Sequence, residues 1–137
     1  MKTVVCYVYG EAKGNPGAAA IGVFVADNQG AMISETAQGI GNADRNFAEY
    51  YAVMTGLQTL VGLYGVETKT MEFQLCLSNE LVLKQLNAES PINNPGLVPM
   101  FIEIHNMQVV SFPNVAFTYI AHDQNTNAAR LANEVLD

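Results

Sequence analysis

A glycine- and proline-rich turn between two apolar runs places the strongest constraint on how this chain folds. The first run, residues 3–9, alternates along the chain and is rich in β-branched and aromatic side chains, as strands are. The second run covers residues 18–26, and Gly14-Asn15-Pro16-Gly17 lies between them. Glycine permits positive φ, and proline fixes φ near the value that the second position of a turn requires. The sequence therefore predicts a strand, a tight turn and a partner strand.

The spacing of apolar residues elsewhere predicts a mixture of strands and helices. Strands are expected at residues 2–9, 18–26, 31–40, 70–77 and 114–121. Helices are expected from the cap residue Asp44 to the glycine Gly65, and at 79–87, 97–110 and 125–136. Three antiparallel strands, followed by strands that alternate with helices, predict an α/β three-layer fold with a five-stranded mixed sheet. The first strand is the most apolar and is expected at the centre of the sheet.

Composition limits the class of protein. The 137 residues predict a single domain, 1–137, and half of them are hydrophobic, which is enough for a packed core. No apolar run reaches the roughly 18 residues of a membrane span, and the first residues lack the features of a signal peptide. With two cysteines predicted in core strands, Cys6 and Cys76, these features favour a cytoplasmic protein with buried thiols.

The net charge weighs against tight binding to nucleic acid. Six basic and thirteen acidic residues give a formal charge of −7. A protein that neutralises phosphates normally presents a basic surface. Any binding to nucleic acid is therefore expected to depend on a local patch.

Four short blocks follow one another in order and together cover nearly the whole chain. They are Tyr9-Gly10 with Gly14-Asn15-Pro16-Gly17, Ala48-Glu49-Tyr50 with Gly56-Leu57, Ser78-Asn79 with Leu81-Val82 and Gln85-Leu86, and the segment from His122 to Asn133. This pattern resembles type I ribonuclease H, in the compact form without the basic protruding helix. The resemblance implies a ribonuclease H-like fold. It also implies a family activity, the cleavage of RNA in RNA–DNA hybrids with two Mg²⁺ ions.

The resemblance also implies a set of four carboxylates, one from each block, and this chain departs from that set. Glu49 matches the glutamate, whereas Tyr9, Ser78 and Ala129 stand where the family has aspartates. Two divalent cations about 4 Å apart repel each other by about 17 kcal/mol at an effective dielectric of 20. One carboxylate does not offset that repulsion, so we expect no metal and no cofactor in this protein. The leading hypothesis is a catalytically inactive or severely impaired member of the family.

The resemblance further implies contacts to the RNA strand, some of which this chain keeps. The Gly-Asn-Pro-Gly turn is intact, and the first helix begins with Asp44-Arg45-Asn46, which keeps the second of two family asparagines. We therefore expect weak binding of an RNA–DNA hybrid or RNA. The predicted binding residues are Lys13, Gly14, Asn15, Arg45, Asn46, Asn79 and His122. A small basic strip of Lys13, Arg45, Lys84 and Arg130 is also expected. The alternative is that the turn persists only because the hairpin needs it.

Two further functions stay open. One is an active hybrid ribonuclease with a rearranged metal site, for which Glu11, Glu49 and Asp123 are the available acids. The other is a protein-interaction module without affinity for nucleic acid, which the acidic balance favours.

Single residues have alternatives as well. Tyr9 either stacks on a base or fills the emptied pocket with its hydroxyl on Glu49 or water. Either Ser78 or Asn79 is expected to cap a helix rather than to act as a nucleophile. His122 either contacts phosphate or lies in solvent, and His105 is expected at the surface.

Overall fold

The first strand of the chain lies at the centre of the sheet, as expected. The computed structural model describes residues 2–137. Its strands are β1 Thr3–Gly14, β2 Gly17–Asp27, β3 Met32–Ala43, β4 Glu72–Leu77 and β5 Val115–Tyr119. They are ordered β3-β2-β1-β4-β5, with β1, β2 and β3 antiparallel and β1, β4 and β5 parallel. The predicted α/β fold with a five-stranded mixed sheet is confirmed.

Helices cover both faces of this sheet. They are α1 Arg45–Tyr64, α2 Glu80–Leu86, α3 Val98–Ser111 and α4 Thr126–Leu136, with 3-10 turns at Gly65–Lys69, Pro95–Leu97 and His122–Gln124. Because side chains alternate along a strand, Val4, Cys6 and Val8 of β1 join the main core with α1 and α3, whereas Tyr7 and Tyr9 pack against α4. None of the helices within residues 2–137 is long and apolar enough to cross a membrane.

The long helix α1 begins and ends where the sequence predicts. The Asp44 side chain caps it, because Phe47 N donates to Asp44 Oδ1 at 2.7 Å. Gly65 follows the last turn with φ of 55°. The 3-10 turn that continues from Gly65 to Lys69 was not predicted.

The hairpin that joins β1 to β2 is tighter than the sequence indicates. Pairing continues to Gly14 opposite Gly17, so β1 extends five residues beyond its predicted end at Tyr9. The turn itself consists of Asn15 and Pro16. Pro16 therefore occupies the third position rather than the predicted second, and the Asn15–Pro16 peptide bond is cis.

Close packing of α4 on the sheet requires a glycine in β2. A Cβ atom at Gly22 would lie 1.9 Å from the Ala128 carbonyl oxygen and 2.9 Å from Leu131 Cβ. The helix backbone therefore rests directly on the strand. This contact sets the height of α4 above β1, and hence the position of the residues that α4 presents to Tyr9.

We expect Gly22→Ala to destabilise the protein by about 2 kcal/mol or more, because the helix backbone must move to admit a methyl group. Denaturant unfolding measures this loss. The control is Gly62→Ala on α1, where a Cβ meets no atom within 4 Å. That exposed helical site should gain about 0.5 to 1 kcal/mol. Equal effects of the two substitutions would contradict the packing described for α4.

Candidate functional site

The candidate site lies where the pairing between β1 and β4 ends. Pairing between them ends at Tyr7 opposite Cys76, while β1 continues with β2 as far as Gly14. Two side chains then bond the backbone of β1 beyond that point. Asn125 Nδ2 donates to the Val8 carbonyl at 2.8 Å, and Gly10 N donates to Glu49 Oε2 at 2.9 Å. The site is therefore a junction between β1, α1 and the start of α4.

Glu49 is a buried acid at this junction. Its side chain is 0% exposed, and its Oε1 has no hydrogen-bond partner among residues 2–137. Burial raises the pKa of Glu49 to about 8, against smaller lowering effects from the Gly10 N–H and the Arg45 charge. The carboxyl group is therefore mostly protonated at neutral pH. A buried neutral acid is a poor ligand for a cation unless the cation displaces its proton.

Tyr9 fills the centre of the junction. It is 2% exposed and packs against Ala128 and Ala132 of α4. Its hydroxyl donates to Glu11 Oε2 at 2.6 Å, so the expected bond to Glu49 is wrong. The reason is the extra length of β1, which places Glu11 two residues later on the same face of the strand.

Two exposed side chains lie beside the Tyr9 ring. The Arg45 guanidinium carbon is 5.8 Å from the ring centroid, and the His122 ring centroid is 5.5 Å away. His122 is thus solvent-exposed and also at the edge of the site. His105 lies at the surface on α3, as expected.

Ser78 and Asn79 have separate structural roles. The predicted helix cap is Asn79, whose Oδ1 accepts from Val82 N at 3.2 Å. Asn79 Nδ2 also donates to Asn46 Oδ1 at 2.9 Å, which joins the starts of α1 and α2. The Ser78 hydroxyl accepts from Asn125 Nδ2 at 3.2 Å.

Asn125 is the residue of the candidate site that the sequence analysis does not single out. It is completely buried at the start of α4, it bonds both β1 and Ser78, and its Oδ1 has no partner within residues 2–137. The signal was present, since Asn125 belongs to the last of the four sequence blocks. Ala129, in the same block, packs beside Tyr9 and offers no polar atom.

A cleft of about 500 Å³ adjoins the junction and contains four of the seven predicted binding residues. Its lining residues are Glu11, Ala12, Gly14, Asn15, Asp44, Arg45 and Asn46. Asn79 is tied to the cleft through Asn46. Lys13 is not in the lining, because its ammonium group donates to the Leu136 carbonyl at the end of α4.

The predicted basic strip is not assembled. Lys84 pairs with Glu80 at 3.1 Å, and Arg130 pairs with Glu134 at 3.0 Å and with Glu35 of β3. Lys84 is therefore paired within α2, and Arg130 is paired both within α4 and with β3. Of the four residues, Arg45 alone borders the cleft.

The residues present do not fit two magnesium ions. Tyr9 fills the centre, Ser78 accepts from Asn125, and Ala129 carries no ligand atom. Within residues 2–137 no three His, Cys, Asp or Glu side chains are grouped so that they could hold a metal ion. The rearranged set of Glu11, Glu49 and Asp123 is therefore not assembled.

We expect the buried Glu49 to make stability fall as pH rises. Its folded pKa of about 8 exceeds the unfolded value of 4.5, so the native state binds the extra proton between these pH values. Stability should fall across this window, by on the order of 5 kcal/mol, and level off above it. Glu49→Gln should abolish that slope in denaturant unfolding. Glu89→Gln, at an exposed carboxylate, should keep it. A wild-type slope in Glu49→Gln would contradict the assignment.

Comparison with known proteins agrees with the fold. A family model described as reverse transcriptase-like matches residues 8–135. The ribonuclease HI of Halobacterium salinarum is 31% identical over 134 residues, which are 98% of this chain and 64% of that protein. The bifunctional protein Rv2228c of Mycobacterium tuberculosis is 29% identical over 136 residues, which are 98% of this chain and 35% of that protein. The chain thus spans between about a third and two thirds of the length of these curated relatives.

Solved structures give the same result. LC11-RNase H1, isolated from compost by a metagenomic approach, has a TM-score of 0.92 and 32% identity, covering 98% of this chain and 95% of that chain. The same protein has been crystallised in complex with an RNA/DNA hybrid. RNase H1 of Halobacterium salinarum has a TM-score of 0.89, 30% identity and 98% coverage of both chains. The chain is therefore a ribonuclease H-like member of the reverse transcriptase-like family.

Proposed function

We propose that this protein is a ribonuclease H-like pseudoenzyme that binds RNA–DNA hybrids weakly and does not cleave them by the two-metal mechanism. Tyr9 is the observation that carries the proposal. A buried tyrosine whose hydroxyl is bonded to Glu11 occupies the place that the resemblance assigns to a metal-binding aspartate. Two-metal catalysis needs a cluster of charged oxygens. The four corresponding positions here carry the phenol of Tyr9, the hydroxyl of Ser78, the methyl group of Ala129 and the protonated acid of Glu49.

The cleft beside Tyr9 supports the binding part of the proposal. Backbone groups of the tight turn at Gly14 and Asn15 border it, and Arg45 and Asn46 at the start of α1 form its other wall. Amides and a guanidinium suit the 2′-hydroxyl and phosphate groups of an RNA strand. A homologue with the same fold, LC11-RNase H1, was crystallised with an RNA/DNA hybrid.

The charge of the protein makes this binding weak. The net charge is −7, and Glu11 and Asp44 lie in the same cleft as Arg45. Each phosphate that approaches Arg45 therefore also approaches two carboxylates. Since cations released from the nucleic acid drive such binding, affinity should depend steeply on salt.

We expect no cleavage of a labelled RNA–DNA hybrid with Mg²⁺ or Mn²⁺, even at high protein concentration. The wild type and Glu49→Gln should give equal background, because Glu49 is not held as a metal ligand. A triple variant, Tyr9→Asp, Ser78→Asp and Ala129→Asp, should acquire metal-dependent cleavage if it remains folded by circular dichroism. Cleavage by the wild type that is lost in Glu49→Gln would contradict the proposal and favour the rearranged metal site.

We expect a shift of labelled hybrid in low salt that Arg45→Ala weakens about 5-fold, with a salt slope smaller by about one. The matched control is Arg130→Ala, which removes the same charge from a residue that is ion-paired with Glu35 on β3 and Glu134 on α4. That control should bind as the wild type does. Absence of any shift in low salt would contradict hybrid binding and leave the protein-interaction module as the remaining function.

A further inference from the structure

Two asparagine side chains connect the cleft to the backbone of α2. Asn46 lines the cleft, whereas Asn79 does not. Asn79 Nδ2 donates to Asn46 Oδ1 at 2.9 Å, and Asn79 Oδ1 accepts from Val82 N at 3.2 Å. The two carboxamides therefore form a hydrogen-bond relay, which has a backbone N–H group at one end and the wall of the cleft at the other.

The chemistry of the groups fixes the direction of this relay. A backbone N–H group is a donor, so it must meet the oxygen of the Asn79 carboxamide and not the nitrogen. The Asn79 nitrogen then faces Asn46, and because this nitrogen is also a donor, Asn46 must offer its oxygen. An inverted Asn46 would bring two donors together in a part-buried contact and leave both without an acceptor, which is unfavourable.

The first turn of α2 holds Asn79 in place. Val82, whose N–H group begins the relay, is completely buried and belongs to the main core. The Leu83 N–H group also donates to the backbone carbonyl of Asn79 at 3.0 Å. The backbone oxygen and the side-chain oxygen of Asn79 are thus both bonded to α2. This anchoring keeps the Nδ2 group of Asn79 opposite Asn46.

The relay leaves the nitrogen of Asn46 for a ligand. Asn46 Nδ2 has no hydrogen-bond partner within residues 2–137 and is not buried, whereas Asn46 Oδ1 is already used by Asn79. The guanidinium of Arg45, whose Nε lies 4.0 Å from Glu11 Oε1, is a second donor in the same lining. At this wall of the cleft, Asn46 therefore acts as an N–H donor.

We propose that Asn79 is a positioning residue for nucleic-acid binding, which orients Asn46 so that the cleft presents an N–H donor, and not a carbonyl oxygen, to an acceptor atom of the hybrid. The inference rests on the proposed function and deepens it, because it states which atoms the site recognises. Ribose 2′-oxygens and the purine N3 and pyrimidine O2 atoms of the minor groove are such acceptors. Since every base pair carries acceptors there, the contact does not depend on base sequence.

A double-mutant cycle in hybrid binding tests this role of Asn79. Asn79→Ser keeps a good helix cap but has no amide group to bond Asn46. We expect it to weaken binding in low salt about 3-fold, because Asn46 must then be immobilised when the hybrid binds. Asn46→Ala should weaken binding about 5-fold through the loss of one hydrogen bond. Adding Asn79→Ser to Asn46→Ala should weaken binding no further, since Asn79 acts through Asn46.

The matched control is Asn94→Ser, which makes the same chemical change at a cap outside the cleft. Asn94 caps the 3-10 turn Pro95–Leu97, where Gly96 N donates to Asn94 Oδ1 at 2.9 Å. This variant should bind the hybrid as the wild type does. Equal weakening by Asn94→Ser and Asn79→Ser would overturn the proposal. Unchanged binding by Asn79→Ser would overturn it too, as would an effect of Asn79→Ser that is as large with Asn46→Ala as without it.

Side-chain amide NMR tests the relay without nucleic acid. The N–H2 group of Asn79 should exchange with water about 5-fold faster in Asn46→Ala than in the wild type, because its acceptor is lost. Asn42→Ala, at an exposed asparagine of β3, should leave this exchange unchanged. Equal exchange of the Asn79 group in the wild type and in Asn46→Ala would overturn the inference.

The two measurements distinguish the inference from the proposed function. If the wild type does not bind the hybrid in low salt, the proposed function fails, and the inference fails with it. If the wild type binds the hybrid but the effects of Asn79→Ser and Asn46→Ala are additive, the inference fails and the proposed function stands.

Discussion

The structure depends on how β1 is held after it separates from β4. Beyond Tyr7 the strand has no partner on that side, and unpaired backbone groups in a buried region are costly. Glu49 from α1 accepts from Gly10 N, and Asn125 before α4 donates to the Val8 carbonyl. These two hydrogen bonds fix both helices to one short segment of strand. They place Glu49 and Asn125 on either side of Tyr9 in the sequence of β1.

This arrangement gives Glu49 a role in the fold that does not depend on a metal. The acid is buried and largely neutral at pH 7, and its hydrogen bond to Gly10 contributes to the fold whether or not a cation is near. Tyr9 occupies the adjacent volume and gives its hydroxyl to Glu11. Neutral groups and one internal ion pair thus replace the dense negative charge that two cations would require.

Much of the fold was predictable from the sequence, because local rules and burial agree. Alternation predicts the five strands, and the Asp44 cap with Gly65 bounds α1. Residues 10–14 were not predicted as strand, since glycine and charged residues carry no alternating apolar signal. Their pairing with β2 is decided by the tight turn. The 3-10 turn after α1 likewise depends on tertiary packing rather than on composition.

The candidate site was predictable in identity but not in its contacts. The four blocks locate Tyr9, Glu49, Ser78 and Ala129. The hydrogen-bond partner of Tyr9, however, depends on where β1 ends. The role of Asn125 depends on its contact with Val8, which is 117 residues away in sequence.

The most direct test of the central claim is a Mg²⁺ titration of the wild type, followed through the amide NMR signal of Gly10, which donates to Glu49. The account predicts that this signal does not shift. A saturable shift of the Gly10 amide would show that Glu49 holds a cation and would contradict it.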